Sequence, residues 1–226
     1  MQSIFRRLTV VSAIVGAAML PQARATTVID FEGANLASLY FSGETFSQGG
    51  FTFTVIRDAA LITSFDVTDP SSPSGNNSKF YEQLNAGQLV MRRSDGSAFN
   101  LEGFSAAFVP LNPASSQTTA IVVAGFDVNV DPQSVAYYFA DINAGRYPFA
   151  LYNDSQDFSS MTQLLVVKFY ACPVVNAFLS CNTPLQNNGQ FALDNILASV
   201  VPEPASAAML ALGLLGLALR ARRRSV

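Results

Sequence analysis

The chain has 226 residues, 50% of them hydrophobic and only 13% charged, and this length suits one domain with a sizeable core. It contains no histidine or tryptophan and two cysteines, which excludes histidine-based triads, the commonest zinc sites and haem ligation by histidine. Between residues 26 and 202, fifteen acidic residues stand against six basic ones, a net charge of −9 that argues against nucleic acid as a partner.

The first 25 residues have the three parts of a secretory signal peptide. Arg6 and Arg7 form a basic start, residues 8–20 are apolar, and Ala23-Arg24-Ala25 is an A-x-A cleavage site. The apolar run of thirteen residues is too short to span a bilayer, which needs about 20. An amphipathic helix is the alternative, but the run has no polar face. We predict cleavage by signal peptidase after Ala25 and a mature chain that begins at Thr26.

The middle of the chain alternates apolar and polar residues with a period of two, as in residues 51–55 and 126–130. Such alternation is typical of antiparallel strands with one face on a core. Further strands are predicted at 28–32, 61–67, 88–92, 99–108, 118–130, 135–139, 164–170 and 191–200. Turn-forming residues separate them at 47–50, 69–77, 111–113 and 131–134, and one helical turn is predicted near 158–163. Short strands at this spacing indicate a β-sandwich or barrel.

Two cysteines lie nine positions apart, at Cys172 and Cys181. In an exported protein this pair is expected to form a disulfide that closes a short loop. The spacing is not C-x-x-C, so a redox-active role is not expected.

Several acidic residues have spacings that could carry chemistry. Asp127, Asn129 and Asp131 resemble the start of an EF-hand loop, but Pro132 replaces its glycine and Tyr138 its last acid. We therefore interpret these three as the solvent face of a strand. Glycoside hydrolysis needs two carboxyl groups about 5 to 9.5 Å apart. The nearest pairs, Asp66 with Asp69 and Asp154 with Asp157, lie in turn-like segments where Asp caps backbone amides.

Tyrosines are the remaining candidates for sugar binding, because an exposed ring can stack on a pyranose. Tyr137 and Tyr138 cluster in the sequence with Tyr147 and Tyr152. Adjacent strand residues point to opposite faces, so only one of Tyr137 and Tyr138 can lie on a given surface. We name Tyr138, Tyr147 and Tyr152 as candidate stacking residues; the alternative is that these rings belong to the core.

The C-terminus has three parts in a fixed order. Val201-Pro202-Glu203-Pro204-Ala205 is extended because proline cannot enter a helix, an apolar stretch follows to Leu219, and Arg220, Arg222, Arg223 and Arg224 form a basic end. This tail resembles the PEP-CTERM sorting signal of Gram-negative bacteria. The resemblance implies recognition by an exosortase, a transpeptidase-like membrane enzyme, and removal of a short transmembrane helix. A plain C-terminal membrane anchor is the alternative.

The two ends of the middle region show a second resemblance to a known family. The region opens with Ile29-Asp30-Phe31-Glu32-Gly33 and closes with Phe191-Ala-Leu-Asp194-Asn195-Ile196. With segment 44–51, the strand at 99–101 and a strand ending at Gly125, this order resembles the jelly-roll domains of PEP-CTERM proteins, which are similar to carbohydrate-binding modules. The resemblance implies that the first and last strands are neighbours.

The same resemblance implies a structural calcium ion shared by Glu32 and Asp194, with Asp30 or Asn195 as a further ligand. Calcium takes six to eight oxygen ligands, so backbone carbonyls would have to complete the site. The alternative is that Asp194 and Asn195 only satisfy backbone amides at a turn.

The sequence thus predicts an all-β, antiparallel jelly-roll or β-sandwich at 26–200, flanked by a signal helix at 1–25 and a membrane-spanning sorting helix within 201–226. We expect export across the inner membrane of a Gram-negative bacterium, with transient contact with that membrane, to the surface or the medium. The expected role is a non-catalytic protein of the exopolysaccharide or biofilm matrix, processed by signal peptidase and an exosortase. A specific glycan-binding module is the alternative, and a glycoside hydrolase is third.

Overall fold

The computed structural model describes residues 25–69, 71–85, 87–110, 119–127, 129, 131–139, 146–175, 178–181, 190–201 and 213–216. The predicted signal helix, apart from Ala25, lies outside these ranges, as does most of the predicted sorting helix. Residues 213–216 are helical, and within the described residues no helix has the length and apolar character needed to cross a membrane. Ala25–Val201 forms one compact unit.

The described residues form strands and one short 3-10 turn, Asp157–Ser160. The strands are β1 (Thr26–Ile29), β2 (Leu39–Phe41), β3 (Thr45–Gln48), β4 (Phe51–Ile56), β5 (Ala59–Ser64), β6 (Lys79–Gln83), β7 (Gln88–Arg93), β8 (Phe99–Phe108), β9 (Thr119–Asp127), β10 (Pro132–Tyr138), β11 (Ala150–Tyr152), β12 (Leu164–Val175), β13 (Phe178–Leu179) and β14 (Phe191–Val200).

Two antiparallel sheets pack face to face. Sheet one has the order β2-β5-β6-β14-β8-β11, with β1 on the same side of β14 as β6. Sheet two has the order β3-β4-β7-β12-β9-β10, and β13 extends the end of β12. Among the described residues, strand pairing joins the two sheets at one position, where Leu164 at the start of β12 pairs with Phe99 at the start of β8. The predicted antiparallel β-sandwich is confirmed, and the first strand does pair with the last.

Aromatic side chains on the inner faces of the two sheets build the core. Phe53 and Phe169 from sheet two and Phe104 from sheet one are fully buried. The Phe104 ring packs edge-on against Phe169, with 5.5 Å between centroids, and Phe46 stacks on Phe53 at 5.0 Å. Burying one such ring stabilises the fold by about 1.5–3 kcal/mol, so the alternation of apolar residues fixes which face of each strand turns inward.

The first strand is shorter than predicted. It ends at Ile29, and Phe31 follows with a φ of +56°, so the alternation predicted over 28–32 is wrong beyond residue 29. The left-handed residue turns the Phe31 ring into the core, where it lies 5.8 Å from Phe53 and 6.1 Å from Tyr81. Burial of a large ring outweighs the small backbone cost of this conformation.

The hairpin between β9 and β10 also differs from prediction. β9 ends at Asp127 and β10 begins at Pro132, so the strand predicted to reach residue 130 and the turn predicted at 131–134 are both wrong. The Asp127 carboxylate accepts hydrogen bonds from the backbone N–H of Asn129 and of Asp131, at 2.8 and 2.9 Å. Asp127, Asn129 and Asp131 therefore close a turn and do not share a strand face.

Cys172 and Cys181 form the predicted disulfide. Cys172 is buried near the end of β12 and Cys181 is exposed beyond β13, with 4.9 Å between their Cα atoms. The bond therefore closes the hairpin made by β12 and β13.

The outer face of sheet one is covered. Phe80, Ala107 and Ala192 on this face are at most 1% exposed, and the Phe149 ring lies 5.3 Å from that of Phe80. Residues 65–69 and 71–78, here called the covering segment, account for part of the cover. Within this segment, Ser74 forms backbone hydrogen bonds with Tyr147 and Phe149, which directly precede β11.

One arginine holds the covering segment in place. The Arg146 guanidinium donates hydrogen bonds to the carbonyl oxygens of Val67, Asp69 and Ser72 at 2.6–2.8 Å, and its Cζ atom lies 5.1 Å from the centroid of the Phe65 ring. Because hydrogen bonds from a charged donor are stronger than neutral ones, the arginine stabilises the segment from within.

A carboxyl group lies on this covered face. Glu82 on β6 sits between Leu61 of β5 and Ala192 of β14. Burial raises the pKa of Glu82 to about 7, and the nearby Asp69 carboxylate contributes in the same direction. The folded protein therefore disfavours the charged form of Glu82.

We predict that Glu82→Gln stabilises the protein increasingly as the pH rises. Because the pKa of Glu82 is higher in the folded than in the unfolded state, its contribution to the free energy of unfolding is fully present below about pH 4.5. That contribution is lost as the pH rises through about 7, where the carboxyl group ionises in the folded protein. Glutamine removes the buried charge, so its advantage in free energy of unfolding should grow from near zero to at most about 3 kcal/mol above pH 7. Urea unfolding across this range measures it.

Asp58→Asn is the control, because it removes the same charge from an exposed turn. Its effect should vary little with pH. A Glu82→Gln advantage of equal size at pH 5 and pH 8 would contradict the raised pKa.

Candidate functional site

Most residues predicted to direct sorting lie outside the described ranges. They are Ala23, Pro202, Glu203, Pro204, Arg220, Arg222, Arg223 and Arg224. Ala25 is the first described residue and is exposed; the predicted cleavage point lies directly after it. Thr26 opens β1.

Asp194 lies in a network of hydrogen-bond donors where the first and last strands meet. It is fully buried, and its Oδ2 atom accepts from Asn76 Nδ2 at 2.7 Å, from Ser78 Oγ at 2.9 Å and from Asn195 Nδ2 at 3.0 Å. Its Oδ1 atom accepts from the Asn195 backbone N–H at 2.8 Å. Burial raises the pKa of Asp194, the hydrogen bonds oppose that shift, and the Asp30 carboxylate adds to it.

Glu32 is bound by the residue next to Ser78. The backbone N–H of Lys79 donates to Glu32 Oε1 at 2.7 Å, and Lys79 Nζ donates to the carbonyl oxygens of Glu32 and Ala34 at 2.8 and 2.9 Å. Ser78 and Lys79 thus join both predicted calcium ligands to the start of β6. Asp30 turns instead to Gln48 Nε2, at 3.2 Å.

These residues do not fit a calcium ion. Calcium needs six to eight oxygen ligands, whereas the oxygens of Asp194 and Oε1 of Glu32 already accept N–H or O–H groups. The Lys79 ammonium supplies the positive charge at the two carbonyls that could have completed a site. Within the described ranges, no group of three or more His, Cys, Asp or Glu side chains is placed to hold a metal.

The structure does not bring the three candidate tyrosines together on one surface. The Tyr152 ring packs among core rings, 5.2 Å from Phe104 and 4.9 Å from Tyr137. The Tyr147 ring packs edge-on against Phe108 at 5.0 Å. The backbone of Tyr138 pairs with Ala120 on β9, and its side chain is outside the description.

The acid pairs act in local turns. Asp66 Oδ1 accepts from the backbone N–H and the hydroxyl of Thr68, both at 2.7 Å, and these bonds lower the pKa of Asp66. Asp69 binds Ser71 in the same way, and Asp154 accepts from the Gln156 N–H at 2.9 Å. These contacts agree with the interpretation as turn caps.

A surface that the sequence analysis missed lies on the outer side of sheet two. Thr54, Gln88, Lys168 and Tyr170 are half-buried there and Arg92 is exposed; we call this surface the open face. The same face is buried in part, since Val90 and Val122, which also point outward, are 7% and 6% exposed. The signal was present in the sequence, because Lys168 and Tyr170 alternate with the core residues Val167 and Phe169.

Strand pairing sets the layout of the open face. Gln88 pairs with Ile56 on one side and with Tyr170 on the other. Val90, the next outward residue of β7, pairs with Thr54 and Lys168. Across the strands Tyr170 is thus flanked by the Gln88 amide of β7 and by Val122 of β9, and along β12 by the Lys168 ammonium.

The open face is suited to binding. Burial raises the pKa of the Tyr170 phenol, so Tyr170 stays protonated and can donate a hydrogen bond while its ring offers an apolar surface. Lys168 Nζ lies 5.3 Å from the centroid of the Phe126 ring, which places the cation against the sheet. The five residues of the open face include no carboxyl or imidazole group.

We predict that Lys79, and not calcium, stabilises the junction of the first and last strands. Lys79→Met keeps the length of the side chain and leaves two carbonyls without their donor, so the free energy of unfolding should fall by about 1–3 kcal/mol. Millimolar calcium should leave the melting temperature of the wild type unchanged. Urea unfolding and a thermal melt with calcium or a chelator measure both effects.

Lys168→Met is the matched control, because Lys168 lies on the open face and bonds no carbonyl in the described structure. It should cost less than Lys79→Met. A calcium-dependent rise in melting temperature that Glu32→Gln abolishes would contradict this prediction.

Three solved structures are similar to this chain at low identity. A DUF4465 family protein from Bacteroides caccae has a TM-score of 0.46 and 12% identity over 78% of this chain and all of its own. The family 11 carbohydrate-binding module of the cellulosomal cellulase Lic26A-Cel5E of Clostridium thermocellum has a TM-score of 0.34 and 12% identity, over 81% of this chain and 97% of its own. TmCBM61, solved with β-1,4-galactotriose, has a TM-score of 0.33 and 8% identity, over 76% and 94%.

No curated protein matched the sequence. A family model, the PEP-CTERM protein-sorting motif, matches residues 200–224. This range contains the proline-glutamate-proline segment, the apolar stretch and the arginines on which the resemblance was based. The chain therefore carries a PEP-CTERM sorting motif, the mark of a protein exported to the Gram-negative cell envelope and processed by an exosortase.

Proposed function

We propose that this protein is a non-catalytic component of the exopolysaccharide matrix, and that it binds polysaccharide on the open face of sheet two. The observation that carries the proposal is the difference between the two outer faces. On sheet one Phe80 and Ala192 are fully buried, whereas on sheet two Arg92 is exposed and the polar side chains of Gln88, Lys168 and Tyr170 stay partly accessible around the buried Val90.

The chemistry of the open face supports a sugar ligand. A pyranose has an apolar face for the Tyr170 ring and hydroxyl groups for Thr54, Gln88 and the tyrosine phenol. Strands hold these groups at fixed spacings, since Gln88 and Tyr170 are paired neighbours. A rigid platform loses little conformational entropy on binding.

The acidic residues support a role without catalysis. Asp66, Asp69 and Asp154 bond to backbone N–H groups in their own turns, and Asp194 lies in a network of four donors. Glu82 has a raised pKa, which a general acid needs, but it lies on the covered face, away from the Tyr170 platform. The carboxyl pair that glycoside hydrolysis requires is therefore not part of the binding surface.

The exported location supports the matrix as the place of action. The PEP-CTERM motif directs the chain to the envelope, and the disulfide between Cys172 and Cys181 suits an oxidising compartment. Polysaccharide is the ligand class that the open face and this location have in common.

The test is affinity electrophoresis of the exported protein through gels that contain the exopolysaccharide of the native host. We expect the wild type to be retarded and Tyr170→Ala to bind up to about tenfold more weakly, because the ring no longer stacks. Tyr170→Phe keeps the ring and should retain most of the binding. No reducing sugar should be released during incubation.

Phe41→Ala is the matched control, because Phe41 is an aromatic residue 56% exposed on the edge of sheet one. It should migrate like the wild type. The proposal is wrong if Tyr170→Ala binds as the wild type does while Phe41→Ala does not, or if sugar release accompanies binding.

A further inference from the structure

The body of the protein is acidic, yet its free cations are concentrated on one face. Three of its six basic residues are engaged: Arg93 pairs with Asp95, and Arg146 and Lys79 bond to carbonyl oxygens. The other three are Arg57, Arg92 and Lys168, and the described residues show no ion pair for any of them.

Two of these three lie close together on the open face. Lys168 of β12 pairs with Val90 of β7, and Arg92 is the next outward residue of β7. Diagonal neighbours of this kind have Cβ atoms about 7–8 Å apart. Arg57 lies elsewhere, in the turn between β4 and β5.

Among the described strand residues, no carboxylate shares this face. The outward positions of β3, β4, β7, β9 and β12 contain neither Asp nor Glu, although the body as a whole has fifteen acidic residues. In the turns beyond these strands, Asp95 forms an ion pair with Arg93 and binds Ser97, and Asp127 binds two backbone N–H groups. The open face is therefore locally cationic in a protein with a negative net charge.

From this segregation we infer that the ligand of the open face is an anionic polysaccharide, with carboxylate or sulfate groups on its sugars. The inference rests on the proposed function and narrows it. The Arg92 guanidinium can bind a carboxylate or sulfate through two parallel N–H bonds, while Lys168 acts as a second point charge. The Tyr170 ring lies beside Lys168 along β12, so one sugar can stack while its acid group meets a cation.

The negative charge elsewhere does not prevent this contact. At physiological ionic strength charges are screened over about 8 Å, so the two local cations outweigh carboxylates at the far side of the sandwich. The same balance disfavours nucleic acid. A duplex presents charge every ~1.7 Å and needs a longer cationic stripe than two residues provide.

The test compares binding of the exported protein to four polymers at 20 and 200 mM NaCl. They are polygalacturonate for carboxylates, dextran sulfate for sulfates, dextran as the neutral polymer, and duplex DNA. We expect one or both acidic polysaccharides to bind more tightly than dextran and DNA, and the higher salt to weaken that binding. Arg92→Gln and Lys168→Gln should each weaken it by up to about fivefold at low salt.

Arg57→Gln is the matched control, because it changes the net charge equally but lies off the open face; it should bind as the wild type does. If dextran binds as well as the acidic polymers and the Arg92 and Lys168 variants have no effect, the inference is wrong while the proposed function stands. If no polysaccharide binds, and the host exopolysaccharide does not retard the protein either, the proposed function fails as well. Preference for DNA over every polysaccharide overturns both.

Discussion

Every strand of this sandwich has two faces, and the core can bury only one of them. The alternating phenylalanine, valine and leucine side chains fill the space between the sheets, so each sheet is left with an outer face that must be covered or be compatible with water. The two sheets meet this constraint differently. Sheet one carries the buried Phe80 and alanines outward, whereas the described outward residues of sheet two include threonine, glutamine, lysine and tyrosine side chains that stay partly exposed.

The cover of sheet one and the junction of the terminal strands depend on internal cations. Arg146 binds three carbonyls of the covering segment, and Lys79 binds two carbonyls after β1. Each supplies a positive charge to loop carbonyls from a side chain of the protein itself.

Because several basic side chains are bonded within the protein, few of them remain unpaired on its surface. The body has few basic residues, and half of them are held by carbonyls or by Asp95. Those that remain on a strand face, Arg92 and Lys168, stand out because carboxylates are absent from the described outward strand positions around them. The described acidic residues lie in turns and on sheet one. Their positions therefore determine binding specificity as much as the two cations do.

Periodicity in the sequence predicted most of the fold, because burial of an aromatic or branched residue at every second position dominates local energetics. The strands at 99–108 and 191–200 have the predicted bounds, and Cys172 and Cys181 are paired as expected. Short strands such as β2 and β11 offer only three residues, too few for a period to be recognised. Phe31 could not be placed by alternation, since its left-handed backbone is imposed by the core around its ring.

The candidate site was harder to predict than the fold. The resemblance predicted a calcium ion shared by Glu32 and Asp194, whereas the residues that bond to them, Lys79 and Ser78, are distant from both in sequence and could not be named from it. Tyr147 and Tyr152 were chosen because they cluster along the chain, whereas their rings pack against Phe108 and Phe104. Tyr170 was overlooked because its neighbours on the outer side of sheet two come from β7 and β9, which only strand pairing reveals.

The central claim is that the open outer face of sheet two, and not the covered face of sheet one, contacts polysaccharide. Hydroxyl-radical footprinting of the exported protein, read by mass spectrometry with and without the host exopolysaccharide, tests it at the level of side chains. The account predicts that Tyr170 and Phe126 become protected from oxidation while Leu39 and Phe41 at the edge of sheet one do not. Protection of Leu39 and Phe41 with no change at Tyr170 would contradict it.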